Sequence, residues 1–172
     1  QNGIGSGADI ALAAMDETIV FQRGKSPAPM LLPRDLHMLA IWSGEPASTT
    51  GYVAAVNLWR RNNPGAYHSH ISDLHNTAAE CIDALGEDDT QRVLASIEQY
   101  DRHLQRLSSM SEVHFYNQAH LDMRKKVELD HCAYKPSGAG GGDYGIAYST
   151  DKEELLTLAD KLDREHIDTF VL

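Results

Sequence analysis

The stretch KPSGAGGGDYG, residues 135–145, places five glycines directly behind a lysine and a serine. Glycine loses more backbone freedom on folding than any other residue, so such a run indicates left-handed turns or close backbone approach. Consecutive backbone N–H groups, the Ser137 hydroxyl and the Lys135 ammonium can all face one anion. A tight turn between two packed segments would use the same glycines. We take the anion loop as the leading hypothesis and leave the plain turn open.

Two familiar phosphate-binding motifs do not account for this loop. Gly140, Gly142 and Gly145 formally satisfy G-x-G-x-x-G, but that fingerprint needs a helix after the loop, whereas residues 144–149 predict a strand. A second stretch, Gly24-Lys25-Ser26, ends like a P-loop, but the first required glycine is replaced by isoleucine at position 19. The glycine loop therefore belongs to neither class.

Composition excludes several classes of protein. The 172 residues carry a formal net charge of −10, which argues against a nucleic-acid or anionic-membrane surface. No apolar run approaches the roughly 20 residues that span a bilayer. The two cysteines, Cys81 and Cys132, are too few for a disulfide framework and indicate free thiols in a reducing cytosol. We therefore expect a cytoplasmic protein that uses local donors for any phosphorylated ligand.

Hydrophobic periodicity predicts helices mixed with strands, which is typical of an α+β sandwich. The predicted helices span residues 8–15, 46–60, 69–85, 90–107, 112–127 and 152–164. The predicted strands span residues 18–23, 36–42, 144–149 and 167–172. The strand at 36–42 is apolar enough to be buried on both faces.

Histidines at positions 68, 70 and 75 form H-x-H-x₄-H, and zinc sites use histidines at close spacing. No cysteine or carboxylate completes the set, so we interpret them as surface histidines and predict no metal site.

Two further stretches concentrate polar groups at helix starts. WSGEPASTT, residues 42–50, puts Ser48, Thr49 and Thr50 in a first helical turn, where free N–H groups and the helix dipole favour an anion. Plain N-capping would use the same hydroxyls. GSGADIALA, residues 5–13, puts Asp9 at another helix start, as a capping residue or as a group that orients a reacting atom.

Together and in this order, the three stretches resemble the C-terminal part of a GHMP kinase, a superfamily of small-molecule kinases. KPSGAGGGDYGIA resembles the third motif of that superfamily, in the form typical of bacterial phosphomevalonate kinases. GSGADIA resembles the segment with the catalytic aspartate, and WSGEPASTT resembles a substrate-proximal turn. The resemblance covers essentially the whole chain, and the glycine motif is its specific part.

The resemblance implies a domain organisation. Residues 1–33 would be the end of the ATP-binding N-terminal domain, and residues 34–172 a ferredoxin-like C-terminal domain. The P-x-x-x-G-L-G-S-S-A type ATP loop of the superfamily is absent from these residues. We therefore expect the nucleotide-binding half to lie upstream of Gln1, and this chain alone to be inactive.

The resemblance also implies phosphoryl transfer from ATP, with Mg²⁺, to a small anionic acceptor such as phosphomevalonate. Asp9 would be the catalytic residue. The candidates for binding the phosphate and the acceptor are Ser6, Ser48, Thr49, Thr50, Lys135, Ser137, Gly138, Ala139, Gly140, Gly141 and Gly142. A mevalonate or sugar kinase, a non-catalytic module for a phosphorylated ligand, and a fragment that assembles with its other half stay open, as does a homodimer.

Overall fold

The protein is described by a computed structural model over residues 7–47, 49–127, 132–138 and 140–172. Its helices are α1 (Ala8–Met15), α2 (Thr49–Asn62), α3 (Pro64–Gly86), α4 (Thr90–Ser111), α5 (Gln118–Lys126) and α6 (Lys152–Arg164). Its strands are β1 (Ile19–Val20), β2 (Ala28–Pro29), β3 (His37–Trp42), β4 (Cys132–Pro136), β5 (Tyr144–Ser149) and β6 (Thr169–Val171).

The main sheet has four antiparallel strands in the order β4-β5-β3-β6. Leu39 of β3 lies opposite Ala147 of β5 and Val171 of β6. Leu39, Ala40 and Ile41 are consecutive and all buried. Successive side chains of a strand point to opposite faces, so β3 is covered on both faces, as its apolar sequence predicts.

Helices α5 and α6 cover one face of the sheet. The side chains of α6 that face it follow a helical stripe, and Asp151 caps the helix by accepting from the N–H groups of Glu153 and Glu154. The core cluster on this face comprises Leu39, Ile41, Met123, Val127, Tyr134, Ala147, Leu155, Leu158 and Leu162.

The long helices α3 and α4 pack on the other face. Their cluster with the sheet comprises Leu36, Ala84, Val93, Leu94, Ile97 and Ala133. A third cluster joins α2 to the far ends of these helices through Leu74, Leu107, Val113 and Phe115, with Tyr52 and Trp59 packed against it. Helices therefore lie on both sides of one sheet, and the predicted α+β sandwich is confirmed.

Several predicted boundaries were wrong. Strand β4 was not predicted, because CAYKP lacks the alternation of a half-buried strand and ends in proline. The segment predicted as a strand at 18–23 contributes only β1, which pairs with the short β2. Helix α3 begins at Pro64, which fits the first turn of a helix, and α5 begins at Gln118 after the Asn117 cap.

Helix α3 also corrects the interpretation of the histidines. His68 and His75 are exposed on it, whereas His70 is buried and its ring lies 6.3 Å from the ring of Trp59. Within the described ranges, no three His, Cys, Asp or Glu side chains form a group that could hold a metal ion.

Both cysteines are free thiols, as predicted. No described helix is both long and apolar enough to cross a bilayer. The domain boundary at residue 33 stays a prediction.

The central core makes a quantitative prediction. Leu162 is fully buried between α6 and the sheet, so Leu162→Ala should lower the free energy of unfolding by about 2–5 kcal/mol. The matched control is Leu58→Ala, because Leu58 is 58 % exposed and its truncation should change stability by about 0.5 kcal/mol or less. Urea unfolding of the purified protein measures both, and equal losses would contradict the core assignment.

Candidate functional site

The glycine loop, residues 137–143, connects β4 to β5 and so closes an antiparallel hairpin. Gly138, Gly140, Gly141 and Gly142 have φ angles of 61°, 74°, 81° and 147°. Residues other than glycine rarely adopt a positive φ angle, because their Cβ atom crowds the following carbonyl group. The local backbone thus gives one reason for the glycine run.

Close approach gives a second reason. A Cβ atom at Gly140 would overlap the carbonyl oxygen of Phe115, and one at Gly142 would overlap that of Glu45. These neighbours are backbone atoms, which cannot rotate away as a side chain can. The loop is therefore pressed between the segment before α5 and the segment before α2.

Hydrogen bonds hold the loop in this position. The Gly141 N–H donates to the Phe115 carbonyl, and the Asp143 N–H donates to the Glu45 carbonyl at 2.6 Å. The Asn117 amide donates to the Gly141 carbonyl at 3.1 Å. The Ser137 N–H donates to the Tyr144 carbonyl at 2.8 Å and the Gly140 N–H to the Ser137 carbonyl at 3.5 Å, so four of the loop N–H groups are used within the protein. Anion binding by the loop would depend on the Ser137 hydroxyl and the Gly138 N–H.

Asp143 joins the glycine loop to the segment that precedes α2. Its carboxylate accepts from the Ala47 N–H at 3.1 Å, and its carbonyl accepts from the Ser43 N–H at 2.8 Å. Two of the three stretches singled out in the sequence, residues 42–50 and 135–145, are therefore in direct contact. Nothing in the spacing of these stretches along the chain indicates this contact.

The predicted hydroxyl cluster is only partly described. Ser6, Ser48 and Ala139 lie outside the described residues. Thr49 begins helix α2, and Thr50 is exposed in its first turn. A cavity lies beside the glycine loop, and Thr50 is not among the residues that line it. The role of Thr50 in binding stays a prediction.

A cavity of about 920 Å³ brings the third stretch to the loop. It lies between α1, the sheet and helices α3 and α4, and its wall is mostly aliphatic and aromatic. The lining residues with polar side chains are Asp9, Thr18, Thr77, Cys81, Ser96, Tyr100, Lys135, Ser137 and Tyr148, and Gly138 also lines the cavity. Asp9, Lys135, Ser137 and Gly138 thus share one cavity, although more than a hundred residues separate Asp9 from the others. Asp9 itself is exposed in the first turn of α1.

Lys135 is the one cationic side chain in the described part of the cavity lining. Its ammonium donates to the neighbouring Pro136 carbonyl at 2.7 Å, and no carboxylate of the described chain lies within 4 Å of it. Burial lowers the pKa of Lys135, while the more distant Asp101 carboxylate and the Cys81 thiol raise it. A cation that faces a cavity without a paired carboxylate is suited to bind an anion.

A charge pair between α4 and α5 was not predicted. Asp101 of α4 is fully buried and accepts from Arg124 Nε of α5 at 3.0 Å and from Gln105 at 2.8 Å. Burial raises the pKa of Asp101, and the Tyr116 hydroxyl, Gln105 and Arg124 oppose that shift. In the sequence, Asp101 looks like one more charged residue of an amphipathic helix. No pattern could have marked it, because its partner Arg124 comes from another helix.

Comparisons with known proteins agree with this geometry. No family model matches the chain. A curated relative, the phosphomevalonate kinase of Streptomyces sp. (strain CL190), is 27% identical over 124 residues, which are 72% of this chain and 33% of the relative. Streptococcus pneumoniae phosphomevalonate kinase, solved with phosphomevalonate and AMPPNP, aligns with a TM-score of 0.75 and 20% identity over 98% of this chain and 56% of that one.

The mevalonate kinase of L. major, solved with R-mevalonate, aligns with a TM-score of 0.76 and 18% identity over 98% of this chain and 52% of its own. This chain has the GHMP kinase fold. The resemblance stated from the sequence is thereby confirmed. The chain spans about a third of the length of the curated relative and about half of the length of each of the two solved structures.

The two explanations for the glycine run lead to a test. A Cβ atom at Gly138 would meet open space, so Gly138→Ala should lower the free energy of unfolding only by the strain of the left-handed conformation, about 1–2 kcal/mol. Gly140→Ala adds the overlap with the Phe115 carbonyl and should cost clearly more. Urea unfolding compares the two variants. Equal costs would show that close approach does not restrict position 140.

Proposed function

We propose that the protein carrying this chain transfers a phosphoryl group from ATP to a small anionic acceptor, with phosphomevalonate as the first choice. The observation that carries the proposal is Lys135, a cation without a carboxylate partner in the described chain that shares an apolar cavity with Ser137, Gly138 and Asp9. The kinase names of the curated relative and of the two structural neighbours support the reaction class.

The cavity wall favours an acceptor with an aliphatic body. A sugar carries a hydroxyl group on almost every carbon, and each buried hydroxyl needs a hydrogen-bond partner. The described wall is mostly apolar and offers fewer polar side chains than aliphatic and aromatic ones. A branched aliphatic acid or its phosphate meets these requirements better than a hexose does.

Four of the residues that line the cavity have a role in this proposal. Lys135, with the Ser137 hydroxyl and the Gly138 end of the loop, would hold the acceptor's anionic group. Asp9 is the one carboxylate in the described lining, and Mg²⁺ is usually held by one or two carboxylates together with substrate phosphates. A single carboxylate fits an Mg²⁺ ion whose other ligands are nucleotide phosphates and water, and not an ion held by protein ligands alone. Bound ATP·Mg²⁺ would supply the phosphoryl group and neutralise its charge.

The role of Asp9 depends on the acceptor. An alcohol must lose a proton during the reaction, so a nearby carboxylate helps as a base. A phosphate monoester has a second pKa near 6 and is already mostly dianionic at neutral pH. With phosphomevalonate, Asp9 would orient the reactants instead of removing a proton.

ADP release by the intact encoded protein tests both the function and the role of Asp9. With ATP and Mg²⁺, we expect turnover with phosphomevalonate and little with mevalonate. Asp9→Asn should reduce the residual turnover of mevalonate, an alcohol acceptor, by a much larger factor than the turnover of phosphomevalonate, a phosphate acceptor. Activity with neither compound would contradict the proposed acceptor, and equal losses with both kinds of acceptor would contradict the role of Asp9.

Lys135 makes a prediction about pH. Its pKa is lowered in the free protein, and a bound anion would raise it, so binding takes up a proton where the free lysine is neutral. Acceptor affinity should therefore be full below the pKa of free Lys135 and fall as the pH rises through it. In Lys135→Arg the side chain stays charged, so the affinity should be flat over this range.

Lys135→Met removes the charge and should raise the acceptor KM by roughly 10-fold or more, because a hydrogen bond to a charged group contributes about 1.5–3 kcal/mol. Lys152→Met is the matched control, because Lys152 is exposed at the start of α6. Steady-state kinetics from pH 6 to pH 10 measure both effects. An unchanged acceptor KM in Lys135→Met would overturn the assignment of this lysine.

A further inference from the structure

One buried imidazole contacts both strand β4 and the end of the glycine loop. His120 of α5 is fully buried. Its Nδ1 lies 2.8 Å from the Tyr134 hydroxyl on β4, and its Nε2 lies 3.0 Å from the Gly142 carbonyl at the end of the loop. The ring thus spans the gap between strand β4 and the end of the loop.

The two partners determine the tautomer of His120. A carbonyl oxygen only accepts, so Nε2 must carry the hydrogen and donate to Gly142. In the neutral ring, Nδ1 then accepts from the Tyr134 hydroxyl. Burial lowers the pKa of His120 and Lys135 adds to that effect, whereas the bond to Gly142 and the carboxylates of Asp143 and Glu45 oppose it.

Tyr134 is itself held in place beneath β5. A Cβ atom at Gly145 would overlap the Tyr134 hydroxyl, so ring and backbone are in close contact there. Tyr134 and Lys135 are neighbours in β4 and therefore point to opposite faces of the sheet. His120 therefore contacts β4 from the face opposite the cavity, at Tyr134, the residue directly before Lys135.

We propose that His120 is a positioning residue for anion binding. By donating to the Gly142 carbonyl while it accepts from Tyr134, it fixes the far end of the glycine loop relative to β4, whereas the near end is fixed by the Ser137 N–H, which donates to the Tyr144 carbonyl at 2.8 Å. The backbone between these two points carries the Gly138 N–H, which lies in the cavity lining with Lys135 and Ser137. The consequence for the acceptor rests on the proposed function, whereas the geometry of the loop does not.

Two substitutions separate the two contacts of the ring. In His120→Asn the amide lies about where Nδ1 lies, so the contact with Tyr134 can persist while the side chain is too short to reach Gly142. In His120→Gln the amide nitrogen reaches about as far as Nε2, so the bond to Gly142 can persist while the acceptor for Tyr134 is lost. Tyr134→Phe removes only the hydroxyl. His75→Asn on the exposed surface of α3 is the matched control.

The experiment measures hydrogen–deuterium exchange and kinetics on the intact encoded protein. Amides of residues 137–143 should exchange about 2- to 10-fold faster in His120→Asn than in His120→Gln, Tyr134→Phe or His75→Asn, since one hydrogen bond contributes about 0.5–1.5 kcal/mol. Exchange in α6 should not change in any of the four. With phosphomevalonate, His120→Asn should raise the acceptor KM by a similar factor, and the KM for ATP should stay constant.

Equal exchange at residues 137–143 in His120→Asn and His120→Gln would overturn the proposal. So would an increase in His120→Asn that extends equally to α6, because that would indicate general loosening of the fold. If the unmodified protein turns over no acceptor, the proposed function fails, and the exchange data still decide whether His120 holds the loop.

Discussion

The site depends on a steric constraint at the turn between β4 and β5. No side chain fits at Gly140 or Gly142, because the backbones of Phe115 and Glu45 occupy that space. The glycines therefore let three parts of the chain meet: the hairpin, the segment before α5 and the segment before α2. A side chain at either position would push these parts away from one another.

The position of the loop follows from this constraint. Asp143 accepts from the Ala47 and Ser43 N–H groups, and Asn117 donates to both Gly141 and Glu45. The glycines let the loop come close to these segments, and hydrogen bonds then hold it there. Since the back of the loop is committed to the protein, its free chemistry lies on the cavity side, with Ser137 and Lys135.

Two charged side chains near the sheet differ in how they are paired. The buried Asp101 accepts from Arg124 and Gln105. Lys135 has no carboxylate within 4 Å among the described residues, since Asp101 acts on it only from a greater distance, and it lines a mostly apolar cavity. A paired charge is suited to hold helices together, and an unpaired one is suited to a ligand. This contrast is the physical basis for proposing an anionic acceptor.

Local sequence determined most of the secondary structure and the identity of the polar stretches. The apolar run of β3, the stripe of α6 and the glycine run could each be interpreted from neighbouring residues, because periodicity and backbone conformation are local properties. Tertiary structure alone decided that β4 is a strand, that Asp9 and Lys135 share a cavity, that His120 contacts the end of the loop and that Asp101 pairs with Arg124. These features depend on contacts between residues far apart in the chain, and no local pattern encodes such a contact.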